Sequence, residues 1–170
     1  DNSPAKVTHH RFVAQRDGLT ITTVEGDMRD LSVFPDESFD LIVQPCSNCF
    51  VPDILPVWKE AWRVLKKGGV MLVGFTNPIL YIFDEELADQ GVFRVVNQLP
   101  YSDLTHLSPE RLQQRMDKRE TLEFSHTLDE QIGGQLEAGF VLAGFFEDKW
   151  SDRPISHFAP TFIATRAIKL

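Results

Sequence analysis

Two short apolar runs and the helix between them constrain the fold most strongly. Residues 39–43 form one run and residues 70–75 the other, and such runs are typical of strands covered on both faces. After Pro52 the apolar residues fall on one side of a helix, and they are Ile54, Trp58, Ala61, Trp62 and Leu65. Gly68 and Gly69 are predicted to end that helix. This order of strand, helix and strand predicts an α/β layered fold.

The first residues of the chain continue the alternation. Ser3 and Pro4 are typical of the N-cap and first position of a helix, which is predicted to end at about Arg16. Residues 19–24 alternate Leu, Ile and Val with Thr, and this pattern predicts a half-buried strand.

The last third of the chain predicts a helix and two strands. A capping box from Thr127 to Glu130 begins a helix, and residues 141–146 and 161–167 have the composition of strands. The segment between these strands has no helical period. We therefore predict that they are antiparallel neighbours, because a parallel pair needs a long crossover.

Composition excludes several classes of protein. A chain of 170 residues has room for one domain with one core. Its net charge of -8 argues against nucleic-acid binding, because phosphates need a positive field. The longest apolar stretches are far shorter than the roughly 20 residues that cross a bilayer, and no signal peptide is recognisable. We therefore expect no nucleic-acid partner, no membrane contact and a cytoplasmic location.

Three segments carry a family resemblance. Residues 24–31 read Val-Glu-Gly-Asp-Met-Arg-Asp-Leu, and residues 34–43 read Phe-Pro-Asp-Glu-Ser-Phe-Asp-Leu-Ile-Val. Residues 58–69 read Trp-Lys-Glu-Ala-Trp-Arg-Val-Leu-Lys-Lys-Gly-Gly. In order and spacing these segments resemble class I S-adenosylmethionine-dependent methyltransferases of the type 11 group. The resemblance implies a single domain over residues 1–170, with a Rossmann-like three-layer α/β/α sandwich, a mostly parallel sheet and an antiparallel C-terminal strand.

The resemblance also implies a cofactor, S-adenosylmethionine, and residues that bind it. Asp1 matches the acid that accepts hydrogen bonds from the ribose hydroxyls, and Asp27 matches the acid that accepts from the adenine amino group. The backbone amide of Met28 matches a donor to an adenine ring nitrogen. Gln44 and Pro45 match positions beside the methionine portion. For Asp1 and Asp27, an alternative role as a helix cap or turn residue stays open.

The resemblance further implies methyl transfer to a small-molecule acceptor. Residues 76–125 match an insertion that covers the acceptor pocket in similar enzymes, and we expect them to form a substrate lid. Tyr81, Tyr101 and His126 are the candidates for the substrate side, although a structural hydrogen bond is an equally open role for His126. No catalytic base can be assigned.

The sequence gives only weak indications of redox chemistry or metal binding. Cys46 and Cys49 have the spacing of a redox pair, but the thioredoxin-like pattern is missing and no further Cys or His lies nearby to complete a metal site. We expect both to be reduced and metal-free. His9 and His10 are predicted to lie on the surface of the first helix. A nucleotide- or NAD-binding Rossmann domain and a non-enzymatic remnant remain alternative functions.

The sequence departs from the family at its start. The glycine-rich loop that approaches the methionine carboxylate, together with the first strand, would lie upstream of residue 1. We therefore expect an N-terminally incomplete fold that binds the cofactor weakly by itself. The exposed strand at residues 39–43 is expected either to pair with residues 19–24 or to be covered in a homodimer, since unpaired strand edges seek partners.

Overall fold

The structure is a computed structural model, and it describes residues 2–170. One mixed sheet organises the chain, with the strand order β1-β2-β4-β3. The strands are β1 (Phe39–Pro45), β2 (Leu65–Thr76), β3 (Phe140–Asp148) and β4 (Phe162–Lys169). β1 and β2 are parallel, whereas β4 runs antiparallel to both β2 and β3. The predicted α/β fold and the predicted antiparallel pair at the end of the chain are both confirmed.

Helices connect the strands, and most of them are short. They are α1 (Pro4–Arg16), α2 (Leu55–Val64), α3 (Glu85–Asp89), α4 (Asp103–His106), α5 (Pro109–Asp117) and α6 (Gly134–Glu137). A wider π-helical turn, Asp129–Gly133, leads directly into α6. Single 3₁₀ turns lie at Asn48–Phe50, Pro78–Ile82 and Pro154–His157. No helix within residues 2–170 is long and apolar enough to cross a membrane.

The core lies on the face of the sheet that α2 and α6 cover. Trp58 of α2 is fully buried, and its indole N–H donates to the carbonyl oxygen of Glu130 at 2.9 Å. The indole therefore buries a large apolar area while its one polar atom is satisfied. Alternate residues of the central strands face this helix layer, and they are Met71, Val73, Phe75, Ile163 and Ala167.

The opposite face of the sheet is open. Leu41 and Val43 of β1 and Leu72 of β2 are 53%, 60% and 40% exposed. β1 is also the first strand of the sheet, so its outer edge has no strand partner within residues 2–170. The exposed flank that the sequence predicted at residues 39–43 is therefore present.

The predicted strand at residues 19–24 is wrong. This stretch has no regular structure and does not pair with β1, which also removes the first of the two expected repairs. It is held instead by local contacts to α1, where Arg11 Nε donates to Thr23 Oγ1 at 2.7 Å. The alternating β-branched residues favour an extended chain, but a strand also needs a neighbour that supplies backbone hydrogen bonds.

The predicted end of the second helix is also wrong. α2 ends at Val64, and β2 begins at Leu65, which pairs with Phe39. Residues 66–69 then form an irregularity before the regular pairing of Leu41 with Val70. Gly68 has a φ of 76°, in the left-handed region that favours glycine. The glycine therefore serves a bend inside the strand rather than the end of the helix.

Candidate functional site

Residues from three parts of the chain meet where β1 ends. Open α/β sheets bind ligands at the carboxyl ends of their parallel strands, and Gln44 and Pro45 lie at that end of β1. The side-chain amide of Gln44 contacts Met28 Sδ at 3.6 Å and donates to Asn48 Oδ1. We call Asp27, Met28, Gln44 and Pro45 the strand-end site. The structure thus brings together four of the five residues predicted to bind a cofactor, and the fifth, Asp1, lies outside the described residues.

Asp27 presents a carboxylate that is ionised and half exposed. Arg29 binds it through both side-chain oxygens, with Nη2 and Oδ2 2.7 Å apart, and the Arg29 backbone N–H donates to Oδ1 at 2.8 Å. The hydrogen bonds from the Arg29 side chain are the main reason why the pKa of Asp27 is lowered. Arg29 therefore contacts both oxygens, and an adenine amino group would have to share one of them with Arg29.

Met28 adds a backbone donor beside that carboxylate. Its side chain packs against the core, whereas its backbone N–H makes no hydrogen bond within residues 2–170. An adenine ring presents an amino donor next to a ring-nitrogen acceptor. The adjacent acceptor of Asp27 and donor of Met28 therefore fit the adenine of S-adenosylmethionine.

A chain of buried amides fixes Gln44. Asn48 is 1% exposed, and its Nδ2 donates to Gln131 Oε1 at 2.7 Å. Gln135 then donates to the Gln131 carbonyl at 2.8 Å and accepts from Thr165 Oγ1 at 3.0 Å. Sequence reasoning missed this network. The sequence feature that could have revealed it is the pair Gln131 and Gln135, four residues apart on the core-facing side of a helical segment.

Hydrogen bonds from Phe124 and His126 hold the turn at Asn48–Phe50. His126 is 4% exposed, and its Nε2 lies 3.1 Å from the carbonyl oxygen of Asn48 and 3.0 Å from that of Val51. The Phe124 backbone N–H donates to the Cys49 carbonyl at 2.8 Å. His126 therefore lies behind the cavity wall and holds the turn. These contacts favour the structural one of its two predicted roles.

A cavity of about 540 Å³ opens beside this turn. We call it the insertion cavity, because most of its wall comes from residues 76–125. Cys49, which follows β1, and Thr76, at the end of β2, also line it. Tyr81 and Tyr101, both predicted for the substrate side, lie on this wall with their ring centres 5.5 Å apart. The cavity thus lies on the side of the sheet where the parallel strands end.

Two carboxylates hold the tyrosine hydroxyls. Tyr81 donates to Glu123 Oε2 at 2.9 Å, and Tyr101 donates to Asp103 Oδ1 at 2.7 Å. Burial is the main cause that raises the pKa of both phenols, and the neighbouring carboxylates add to it. Asp103 is itself 1% exposed and also binds Arg115 at 3.2 Å. Both phenols are therefore neutral donors at physiological pH.

The two cysteines have the spacing of a redox pair but not the lowered pKa of reactive thiols. Both are free thiols, and burial raises the pKa of Cys46 and takes that of Cys49 to about 11. Within residues 2–170, no group of three or more His, Cys, Asp or Glu side chains could hold a metal ion. The nucleophilic thiolate that redox and metal chemistry require is therefore disfavoured here.

Comparison with known proteins shows which proteins the chain is similar to. Residues 1–73 match the family described as "Methyltransferase domain". The whole chain is 48% identical over 170 residues to the uncharacterized methyltransferase YbaJ of Bacillus subtilis, and it covers 66% of that protein. The chain belongs to the class I S-adenosylmethionine-dependent methyltransferases. The sterol 24-C-methyltransferase erg6 of Aspergillus fumigatus is 36% identical over 72 residues, which are 41% of this chain and 19% of that enzyme.

Solved structures show the same methyltransferase fold. The S-adenosylmethionine dependent methyltransferase from Mesorhizobium loti superposes with a TM-score of 0.67 at 15% identity. The alignment covers 99% of this chain and 78% of that one. The match with the sterol enzyme is far shorter than the match with YbaJ. The chain spans nearly two thirds of the length of its Bacillus relative, whereas its matched segment covers about a fifth of the sterol enzyme.

Proposed function

We propose that the protein binds S-adenosylmethionine at the strand-end site and transfers its methyl group to a small molecule held in the insertion cavity. The observation that carries the proposal is the adjacency of the two sites. Asn48 hydrogen-bonds the Gln44 side chain of the first site, and Cys49, the next residue, lines the second. A donor and an acceptor bound there would lie on either side of one short turn.

The residues of the chain would act mainly by binding and orientation. Asp27 and Met28 would hold the adenine, while Gln44 and Pro45 would lie beside the methionine portion. When bound, the cofactor supplies an activated methyl group on sulfur. The protein therefore needs to align the acceptor and exclude water rather than generate a strong nucleophile.

The insertion cavity suits a small acceptor in size and position. A volume of about 540 Å³ lies within the usual range of roughly 300–1,000 Å³ for small-molecule sites. We propose that residues 76–125 act as the wall and lid of the acceptor site. Their position over the carboxyl ends of β1 and β2 supports this, as does the hydrogen bond of Phe124 to the Cys49 carbonyl at the close of the insertion.

Calorimetry with S-adenosylmethionine and with NAD on the full-length protein tests the proposal. We expect S-adenosylmethionine to bind and NAD not to bind. Binding of NAD alone would favour the nucleotide-binding alternative, and binding of neither would favour a non-enzymatic remnant. Transfer of a labelled methyl group to a small-molecule extract, but not to protein or RNA, would confirm the class of acceptor.

A further inference from the structure

The charges on the wall of the insertion cavity disfavour the binding of an anion. Carboxylates outnumber guanidinium groups on this wall, and every arginine of the described wall is already bound to a carboxylate. The pairs are Arg111 with Glu86, Arg115 with Glu85 and Asp103, and Arg153 with Asp89. An anionic acceptor would therefore meet no free cation. It would have to displace a carboxylate from its arginine.

Glu123 differs from the other carboxylates on the wall. Within residues 2–170, no lysine or arginine lies within salt-bridge distance of it, although Arg115 is near enough to interact electrostatically. Its Oε2 accepts from the Tyr81 hydroxyl at 2.9 Å, and its Oε1 has no hydrogen-bond partner among the described residues. The cavity therefore presents one carboxylate oxygen that is ready to accept a hydrogen bond.

Two aromatic rings line the same cavity as that carboxylate. Tyr81 carries the hydroxyl bonded to Glu123, and Tyr101 packs against Tyr81 with ring centres 5.5 Å apart. The faces of aromatic rings attract organic cations, and a carboxylate supplies the opposite charge. Rings and carboxylate together form a recognition surface for a positively charged nitrogen.

We propose that the acceptor is an organic amine and that Glu123 binds its protonated nitrogen through Oε1. The inference rests on the proposed function and specifies its substrate class. A protonated amine has no lone pair with which to accept a methyl group. Transfer of one N–H proton to Oε1 converts the ammonium to a neutral amine and the carboxylate to a carboxylic acid. This step frees the lone pair on nitrogen and needs no further reactant.

Three probes of similar size and different charge test the amine class. They are 2-phenylethylamine, 3-phenylpropionate and 2-phenylethanol, each titrated calorimetrically into the full-length protein. We expect the amine to bind at least about tenfold more tightly than the carboxylate, with the alcohol between them. Equal or tighter binding of the carboxylate would overturn the proposal, and so would the absence of binding by all three probes.

Two glutamine substitutions locate the effect. Glu123→Gln keeps an oxygen for Tyr81 but removes the negative charge, and we expect it to abolish the preference for the amine. Glu120→Gln removes the same charge from a residue outside the cavity that pairs with Lys118, and we expect it to keep the preference. An unchanged amine affinity in Glu123→Gln would show that Glu123 is not the binding group.

The cofactor provides a separate readout. S-adenosylmethionine is titrated into the wild-type protein and both variants, and equal binding shows that the variants are folded. If the cofactor binds and the probes show no charge preference, the amine class is wrong while the methyltransferase function stands. If the wild-type protein does not bind the cofactor, the proposed function itself is wrong.

Discussion

A single substitution at Asp27 tests its predicted role in cofactor binding. We expect Asp27→Ala to weaken binding of S-adenosylmethionine to the full-length protein by about 1–3 kcal/mol, the usual cost of stranding a hydrogen-bonding partner. Calorimetry would show this as a rise in the dissociation constant of roughly 5- to 150-fold. Asp17→Ala is the matched control, because the Asp17 carboxylate also pairs with an arginine, the neighbouring Arg16, on the surface. An unchanged constant in Asp27→Ala would remove Asp27 from the site.

Cys49 gives a prediction about pH. Burial first, and the negative charge of Glu123 second, raise its pKa from 9.0 to about 11. A raised thiol pKa delays ionisation, so at pH 8 about 0.1% of Cys49 is thiolate, against about 10% of an unshifted thiol. In the Cys46→Ser variant we therefore expect alkylation by iodoacetamide to be slow at pH 8 and still rising with pH above 10. A plateau below pH 9 would contradict the buried setting of this thiol.

The same cysteines test the redox alternative. We expect the protein to be free of zinc, and the Cys46→Ser, Cys49→Ser double variant to keep methyl transfer. The physical reason is that the pKa of both thiols is raised, which keeps them neutral, and that no cluster of further metal ligands surrounds them in the described chain. Stoichiometric zinc by elemental analysis, or activity that a reducing agent switches, would favour redox chemistry instead.

Sequence could predict the site residues that follow strands, but not those that reach it from far along the chain. Gln44 lies at the end of an apolar run that forms β1, so its position follows from strand order. Asp27 and Met28 follow residues 19–24, which form no strand, and only the family resemblance pointed to them. Glu123 bonds to Tyr81, 42 residues away, and Asn48 bonds to Gln131, 83 residues away. Contacts at such separations leave no local period in the sequence, and only the folded chain reveals them.

At the scale of elements, the glycine pair where the π-helical turn meets α6 gives a matched test of packing. A Cβ at Gly134 would lie 2.7 Å from Trp58 Cδ1 and 2.9 Å from Leu55 Cδ2, inside the core. We expect Gly134→Ala to lower the free energy of unfolding by about 1–3 kcal/mol, the usual cost of overpacking. Denaturation in urea measures it.

Gly133→Ala is the control for that substitution. Its Cβ would meet the end of the exposed Asp129 side chain at 2.9 Å, which can move aside. Alanine is favoured over glycine in a helix by up to about 1 kcal/mol, so we expect Gly133→Ala to be neutral or stabilising. Equal losses in both variants would show that helical backbone geometry, rather than the contact with Trp58, requires the glycines.

The sequence pattern predicted the strands β1 and β2 correctly, whereas it predicted a strand at residues 19–24 that does not form. The apolar runs located β1 and β2 to within a few residues, although one face of β1 is exposed in the described chain and is not covered as the run predicted. Residues 19–24 have an equally clear strand pattern, yet they are not part of the described sheet. A local pattern shows that a segment prefers an extended conformation, but a strand forms only where a neighbouring strand pairs with it.

For the molecule as a whole, the open face of the sheet predicts self-association of the 170-residue chain. Leu41, Val43 and Leu72 form an exposed apolar surface beside the unpaired edge of β1. Burying apolar surface and pairing strand edges are both favourable, so a second copy of the chain is the expected partner. Sedimentation velocity is expected to show a species of twice the 19.4 kDa mass, with a population that rises with concentration.

Two lysine substitutions distinguish association through the open sheet face from nonspecific association. Val43→Lys places a charge on the edge strand, and charges there oppose strand pairing, so we expect a shift toward the monomer. Met116→Lys changes a residue of α5 that is 57% exposed, close to the 60% of Val43, and we expect it to associate like the wild type. A chain that is monomeric at every concentration would mean that the open face is stable in water. Equal dissociation of both variants would mean that association depends on net charge and not on the edge of β1.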